Sequence, residues 1–145
     1  PINIGNQVSL EKVYSYNPIP KELDETQAKY ILGAQGNVWT EYMKTPEKVE
    51  YMVFPRILAL SEVVWSPLDK KDFSDFQSRL PHQFERLDRQ NVNYRIPAPD
   101  GLQNILLAET DKAKIELKLP LPTAKIFYTL DGSEPTEKSA EYKEP

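Results

Sequence analysis

Two side chains suited to sugar recognition stand two residues apart, Trp39 and Glu41, just after the small-residue run Gly33-Ala34-Gln35-Gly36. An indole offers a flat apolar face on which a pyranose ring can stack. A carboxylate offers two acceptor oxygens for neighbouring hydroxyls. Small residues let a backbone pass through a crowded place, so the run before them suits the approach to a site. Gln35, Asn37 and Tyr42 read as residues that line or brace this loop.

Other titratable residues have simpler readings. The lone His82 follows Pro81 on the exposed side of a helix, and no second His exists to build a metal cluster with it. Asp69, Asp72 and Asp75 resemble a carboxylate cluster, but helix capping explains them, and no oxygen-rich loop of EF-hand spacing surrounds them. Glu22, Asp24 and Glu25 form a solvated loop face. Asp131 and Glu134 fit turn chemistry. The chain has no cysteine, which excludes disulfides, thiolate metal sites and a Cys nucleophile. No metal or cofactor is expected. A net charge of −4 with no basic stretch argues against nucleic acid as a partner. No apolar run approaches the roughly 20 residues of a membrane helix. Hydrophobic residues at 39% and charged residues at 28% fit a globular chain rather than a disordered tail.

The elements that must position the pair follow from periodicity. Ser9 can cap a short helix over 10–16, which Asn17-Pro18-Ile19-Pro20 ends. Tyr30-Ile31-Leu32-Gly33-Ala34 lacks polar alternation and reads as a buried parallel strand. Gln35 to Tyr42 is then the loop at its C-terminal end, where α/β folds bind ligands. Thr45, Pro46 and Glu47 supply an N-cap, a first-turn proline and a first-turn acid. Val49, Val53, Ile57, Leu60 and Val64 recur at helical spacing up to Trp65. Tyr51, Met52, Phe54, Leu58 and Val63 widen that stripe, so much of the helix circumference should be buried. Pro55 predicts a kink or a break. Asp72 can cap a further helix over 73–91 with the stripe Phe73, Phe76, Leu80, Phe84 and Leu87. Pro81 predicts a kink or restart in it. Asp75–Arg79 and Glu85–Arg89 are i,i+4 pairs in the favourable order.

At Arg95-Ile96-Pro97-Ala98-Pro99-Asp100-Gly101 the composition turns to that of a linker. Beyond it the period becomes two. Ile115, Leu117 and Leu119 alternate with lysines and a glutamate, and Ile126, Tyr128 and Leu130 alternate with Lys125, Phe127 and Thr129. Asp131-Gly132 is a turn signal, with a third strand around Tyr142. The fold class is thus α/β followed by all-β. The domain reading is an α/β part over 1–94, a linker over 95–104 and an incomplete antiparallel sheet domain over 105–145. The chain opens Pro1-Ile2-Asn3 without Met, and residues 1–8 read as the irregular continuation of a longer chain.

The run Gly33-Ala34-Gln35-Gly36-Asn37-Val38-Trp39-Thr40-Glu41-Tyr42, with Val49-Glu50-Tyr51-Met52-Val53-Phe54-Pro55-Arg56 through Ser61-Glu62-Val63-Val64-Trp65-Ser66, resembles the end of the catalytic domain of family 20 glycoside hydrolases, the β-N-acetylhexosaminidases. Leu10-Glu11-Lys12-Val13-Tyr14 is similar to the helix before their last barrel strand. Ile126-Phe127-Tyr128-Thr129-Leu130-Asp131-Gly132-Ser133-Glu134-Pro135-Thr136 is similar to the β-sandwich appended to many bacterial members.

The resemblance implies the last β/α unit of a (β/α)8 TIM barrel, with 30–36 as its eighth strand and 46–65 as its eighth helix, followed by an incomplete antiparallel β-sandwich. It implies removal of terminal non-reducing N-acetylhexosamine by a retaining, substrate-assisted reaction in which the substrate's acetamido oxygen is the nucleophile. The catalytic Asp-Glu pair and the Tyr that binds the acetamido group would lie upstream of Pro1, so no catalytic residue is expected in this chain, which alone should be inactive. Trp39 matches the aromatic wall of the sugar pocket, and Glu41 the carboxylate that binds O4 and O6. Trp65, Glu62 and Arg56 match positions read as packing and ion-pair residues on the helix. The implied partners are N-acetylhexosamine-containing glycans and the N-terminal part of the barrel, and the family favours a periplasmic or secreted location. Two rival readings remain open: a carbohydrate-binding module centred on 101–145, with Phe127 as its outward aromatic, or a structural brace that forms an oligomer face.

Overall fold

The computed structural model describes residues 8–101, 114–119, 121 and 124–145. The expected irregular start over 1–7, linker residues 102–104 and the sheet-domain start over 105–113 lie outside them. The chain divides into two compact units, Pro1–Arg95 and Ile96–Pro145. No helix of the described residues is long and apolar enough to cross a membrane.

The first unit is helical. Helix α1 (Leu10–Tyr14) starts where the Ser9 hydroxyl accepts from the Lys12 amide, and it stops two residues before the predicted end. Helix α2 (Glu25–Ala28) is one turn closed by a capping box between Asp24 and Gln27. Asp24 thus caps a helix where the sequence predicts a solvated loop face. Helix α3 (Pro46–Val53) begins at Thr45, whose hydroxyl accepts from the Lys48 amide. Helix α4 (Arg56–Trp65) follows directly. The break falls where Pro55 was expected to make it, with Phe54 in the extended region, because proline disfavours helical geometry in the residue before it.

Helix α5 (Phe73–Arg89) is capped by Asp72, whose carboxylate accepts from the amides of Ser74 and Asp75. Pro81 lies inside it without a restart. The proline deprives only the Gln77 carbonyl of its intrahelical donor, and the buried stripe of Phe76, Leu80, Phe84 and Leu87 carries the helix through that point. Past its end, Asn91 adopts φ 53°, and the amide of Val92 returns to the carbonyl of Leu87. The chain then runs back along α3. Asn93 donates its amide to Glu50 and its side-chain NH2 to the Glu47 carbonyl, and the Arg95 amide donates to Phe54. Tyr94 stacks on Phe84 at 4.5 Å between ring centroids.

The predicted strand over 30–36 is not formed. Residues 31–39 carry neither helix nor strand pairing. A parallel strand needs a neighbour for its N–H and C=O groups, and none of the described residues lies alongside to pair with it.

The second unit holds a two-stranded antiparallel sheet, β1 (Phe127–Tyr128) against β2 (Ala140–Glu141), in the register Phe127 to Glu141 and Tyr128 to Ala140. The expected strand over 115–119 is reduced to a bridge between Asp100 and Lys118. Gly101 makes that bridge possible. It sits at φ +84°, and a Cβ there would come within 2.1 Å of the Glu116 carbonyl oxygen. Tyr142 fastens the same stretch, since its hydroxyl donates to the Ile115 carbonyl at 2.9 Å and accepts from the Leu117 amide at 3.0 Å. The Asp131-Gly132 turn is present, with Asp131 accepting from both the amide and the hydroxyl of Ser133, which holds its carboxyl below the usual range. The expected facing in β1 is reversed. Phe127 is half-buried, whereas Tyr128 and Leu130 are exposed. Two strands form no second layer, so the sheet has no fixed inner face to receive the alternating set.

Candidate functional site: the 33–42 loop on helix α4

Helix α4 is the platform for the loop. Ala59 and Val63 are fully enclosed on the side that meets α1. On the side toward the loop, Leu60 meets Gly36: a Cβ built there would lie 3.3 Å from Leu60 Cδ2. That distance is tight enough that a side chain would push the loop or the leucine aside, which explains a residue without one. Gln35 and Asn37 join around this contact, the Gln35 amide donating to Asn37 Oδ1 at 2.9 Å. This bears out their reading as residues that brace the loop.

The loop then delivers the two candidates. Trp39 is the N-cap of a single 3-10 turn, Thr40–Tyr42, which contains Glu41. The Met43 amide closes the turn on the Thr40 carbonyl. Trp39 is 72% exposed. Glu41 is exposed too, and among the described residues its carboxylate has no hydrogen-bond or ion-pair partner. A free indole face and a free carboxylate on one short turn can stack on an apolar ring face and accept from two hydroxyls. A cleft of about 210 Å³ lies at the other end of the segment, between Asn17, Ile19, Ile31 and Leu32 on one side and Val64 and Leu68 on the other. It includes neither Trp39 nor Glu41.

The remaining candidates fall into structural roles. Asp72 caps α5, Asp75 pairs with Arg79 at 2.9 Å and Asp69 with Lys70 at 3.7 Å. The Glu85–Arg89 pair does not form among the described residues. His82 is exposed, as its position after Pro81 suggested. Arg56 donates to the carbonyls of Met52 and Val8, tying α3 and the chain before α1 to the start of α4. Trp65 departs from its expected packing role. It is 87% exposed, and nothing among the described residues covers it.

Glu62 pairs with Arg79, in keeping with its reading as an ion-pair residue, but sequence reasoning missed the cluster that the pair belongs to behind the platform. The Tyr14 hydroxyl lies 2.8 Å from Glu62 Oε1 and 3.1 Å from the Asp72 carbonyl oxygen, two acceptors for its one proton. Arg79 donates to both Glu62 oxygens at 2.8 and 2.9 Å, and to Asp75. Tyr14 also packs on Phe73 and Phe76, with centroids at 5.4 and 5.0 Å, and Lys71 lies over its ring. Burial first, and the bond to the Glu62 carboxylate second, push the Tyr14 hydroxyl up to about 12. The bonds to Glu62 raise Arg79 above its ordinary value. The available signal was Glu62 itself, a single carboxylate in the apolar run of α4, which requires a partner where it is enclosed.

Comparison with known proteins places these elements in a family. The profile of the glycosyl hydrolase family 20 catalytic domain matches residues 1–68, and that of the chitobiase/β-hexosaminidase C-terminal domain matches residues 108–145. A β-hexosaminidase of Porphyromonas gingivalis is 47% identical over 147 residues, covering 100% of this chain and 19% of that protein. An N,N'-diacetylchitobiase of Vibrio harveyi is 25% identical over 74% of this chain and 14% of its own length. The solved family 20 exo-β-N-acetylglucosaminidase of Vibrio harveyi in complex with N-acetylglucosamine aligns with a TM-score of 0.54 at 36% identity, over 59% of this chain and 14% of that one. The chain therefore spans less than a fifth of the length of these relatives. Its residues 1–68 belong to the glycosyl hydrolase family 20 catalytic domain, and its residues 108–145 to the chitobiase/β-hexosaminidase C-terminal domain.

Proposed function

We propose that this chain is the closing segment of a β-N-acetylhexosaminidase, contributing the last β/α unit of a (β/α)8 barrel and the start of an antiparallel β-sandwich. The observation that carries the reading is the 47% identity to a β-hexosaminidase along the whole chain, which includes the loop and helix α4. The substrates are glycans that end in N-acetylhexosamine. Trp39 stacks on the terminal sugar, and Glu41 accepts hydrogen bonds from its O4 and O6 hydroxyls. The bond is broken elsewhere in the barrel. The substrate's acetamido oxygen attacks the anomeric carbon, and a Glu protonates the leaving oxygen while an Asp orients the acetamido group. Neither of these two groups is assigned to this chain, so its own part is to hold the sugar at the correct depth and rotation.

The test is release of p-nitrophenol from its N-acetyl-β-glucosaminide and N-acetyl-β-galactosaminide. The full-length protein that carries this chain turns over at least one of them, and the 145-residue chain turns over neither above a boiled control. A full-length protein inert toward both substrates refutes the reading. Turnover by the 145-residue chain refutes the placement of the catalytic groups.

A further inference from the structure

Helix α5 lies between the two family matches, which end at residue 68 and begin at residue 108. Neither match assigns it a role, yet it is tied to the helix that carries the recognition loop. Four of its side chains are buried, and Arg79 reaches out of it to grip both oxygens of Glu62 on α4. Tyr14 of α1 closes the same carboxylate from the other side and takes the backbone of Asp72, the α5 cap, as its second acceptor. Two residues before Glu62, Leu60 bears on Gly36. Three residues after Gly36 stands Trp39. We propose that Arg79 is a positioning residue for sugar recognition: through Glu62 it fixes the seat of α4, α4 sets Gly36 through Leu60, and Gly36 sets Trp39 and Glu41.

The geometry favours positioning over simple bracing. Arg79 is anchored at two points, Nη2 straddling both Glu62 oxygens and Nε donating to Asp75 on its own helix, which fixes the orientation of the guanidinium as well as its distance.

The kinetic part of this proposal rests on the hexosaminidase reading, so its test carries a second readout that does not need turnover. In the full-length protein labelled with 5-fluorotryptophan, the Trp39 fluorine resonance is assigned by its loss in Trp39→Phe. Arg79→Leu shifts or broadens that resonance and raises KM for the p-nitrophenyl substrate about tenfold with kcat within about twofold, the pattern of lost binding common to ground and transition states. Arg79→Lys, which keeps the charge but not the planar group that spans Asp75 and Glu62, falls between. A merely structural role would lower the melting temperature and leave the resonance and KM at wild-type values, and that result overturns the proposal. Should Arg79→Leu fail to fold, Gly36→Ala probes the other end of the relay. It moves the Trp39 resonance with the ion pair intact, and an unmoved resonance overturns the proposal equally. If the wild type is inert but the resonance responds to Arg79→Leu, the hexosaminidase reading fails and the positioning relay stands.

Discussion

The two sides of helix α4 have similar composition and opposite fates. Toward α1 and α5, Ala59 and Val63 are enclosed and Glu62 is held by a tyrosine and an arginine. Away from them, Ile57, Val64 and Trp65 are exposed, and the loop with Trp39 lies open. The closed side obtains all its partners from this chain. The open side has apolar residues at helical spacing with little of this chain to bury them against. The contrast teaches that periodicity reports which side chains seek burial, while the partner that supplies it can lie far away in sequence.

The sharpest way to break this contrast is to hollow out the closed side. Phe84 and Leu80 of α5 are the largest fully buried side chains among the described residues. Phe84→Ala should lower the unfolding free energy of the 145-residue chain by about 3–5 kcal/mol, read from the urea midpoint. A loss below about 1 kcal/mol would mean that α5 is not packed as described. Next comes the Tyr14 hydroxyl. Its folded value of about 12 lies above the ordinary 10.0, so its stabilising contribution is complete below pH 10 and is lost as pH rises toward 12. The loss is on the order of 2–3 kcal/mol across that window. Urea midpoints from pH 9 to 12 should fall more steeply for the wild type than for Tyr14→Phe, and parallel curves would exclude the shift.

In the second unit, Tyr142→Phe removes the hydroxyl that links Ile115 and Leu117. It should cost about 1 kcal/mol and increase amide exchange at Leu117. The smallest effect belongs to the open side. Trp65→Ala should change the stability of the 145-residue chain by less than about 0.5 kcal/mol, because the side chain has little burial to lose. A large loss there would show that the open face is covered in solution.

Local chemistry was legible in the sequence. Ser9, Thr45 and Asp72 cap the helices as their types dictate, Pro55 breaks the long helix, and the stripe of α5 is buried at Phe76, Leu80, Phe84 and Leu87. These depend on contacts a few residues apart. The features that differ from the sequence expectation depend on distant partners. The 30–36 strand needs neighbouring strands, and the facing of Phe127 and Tyr128 needs a second sheet layer. The burial of Trp65 needs a surface to meet. The Tyr14–Glu62–Arg79 cluster spans three helices, so no window of sequence contains it. The recognition pair was visible because its chemistry lies in two residues of one short turn. The family resemblance, rather than periodicity, gave that pair its assignment to sugar hydroxyls.

The most direct test of the account is Glu41→Gln in the full-length protein, assayed on the p-nitrophenyl N-acetyl-β-hexosaminide that the wild type turns over and on its 4,6-dideoxy analogue. With Glu41 on O4 and O6, kcat/KM on the normal substrate should fall about 10- to 100-fold, the worth of hydrogen bonds to a charged acceptor. On the analogue, which has no hydroxyls for Glu41 to accept from, little further loss is expected. An unchanged kcat/KM on the normal substrate, or an equal loss on both, would remove Glu41 from sugar recognition and contradict the account.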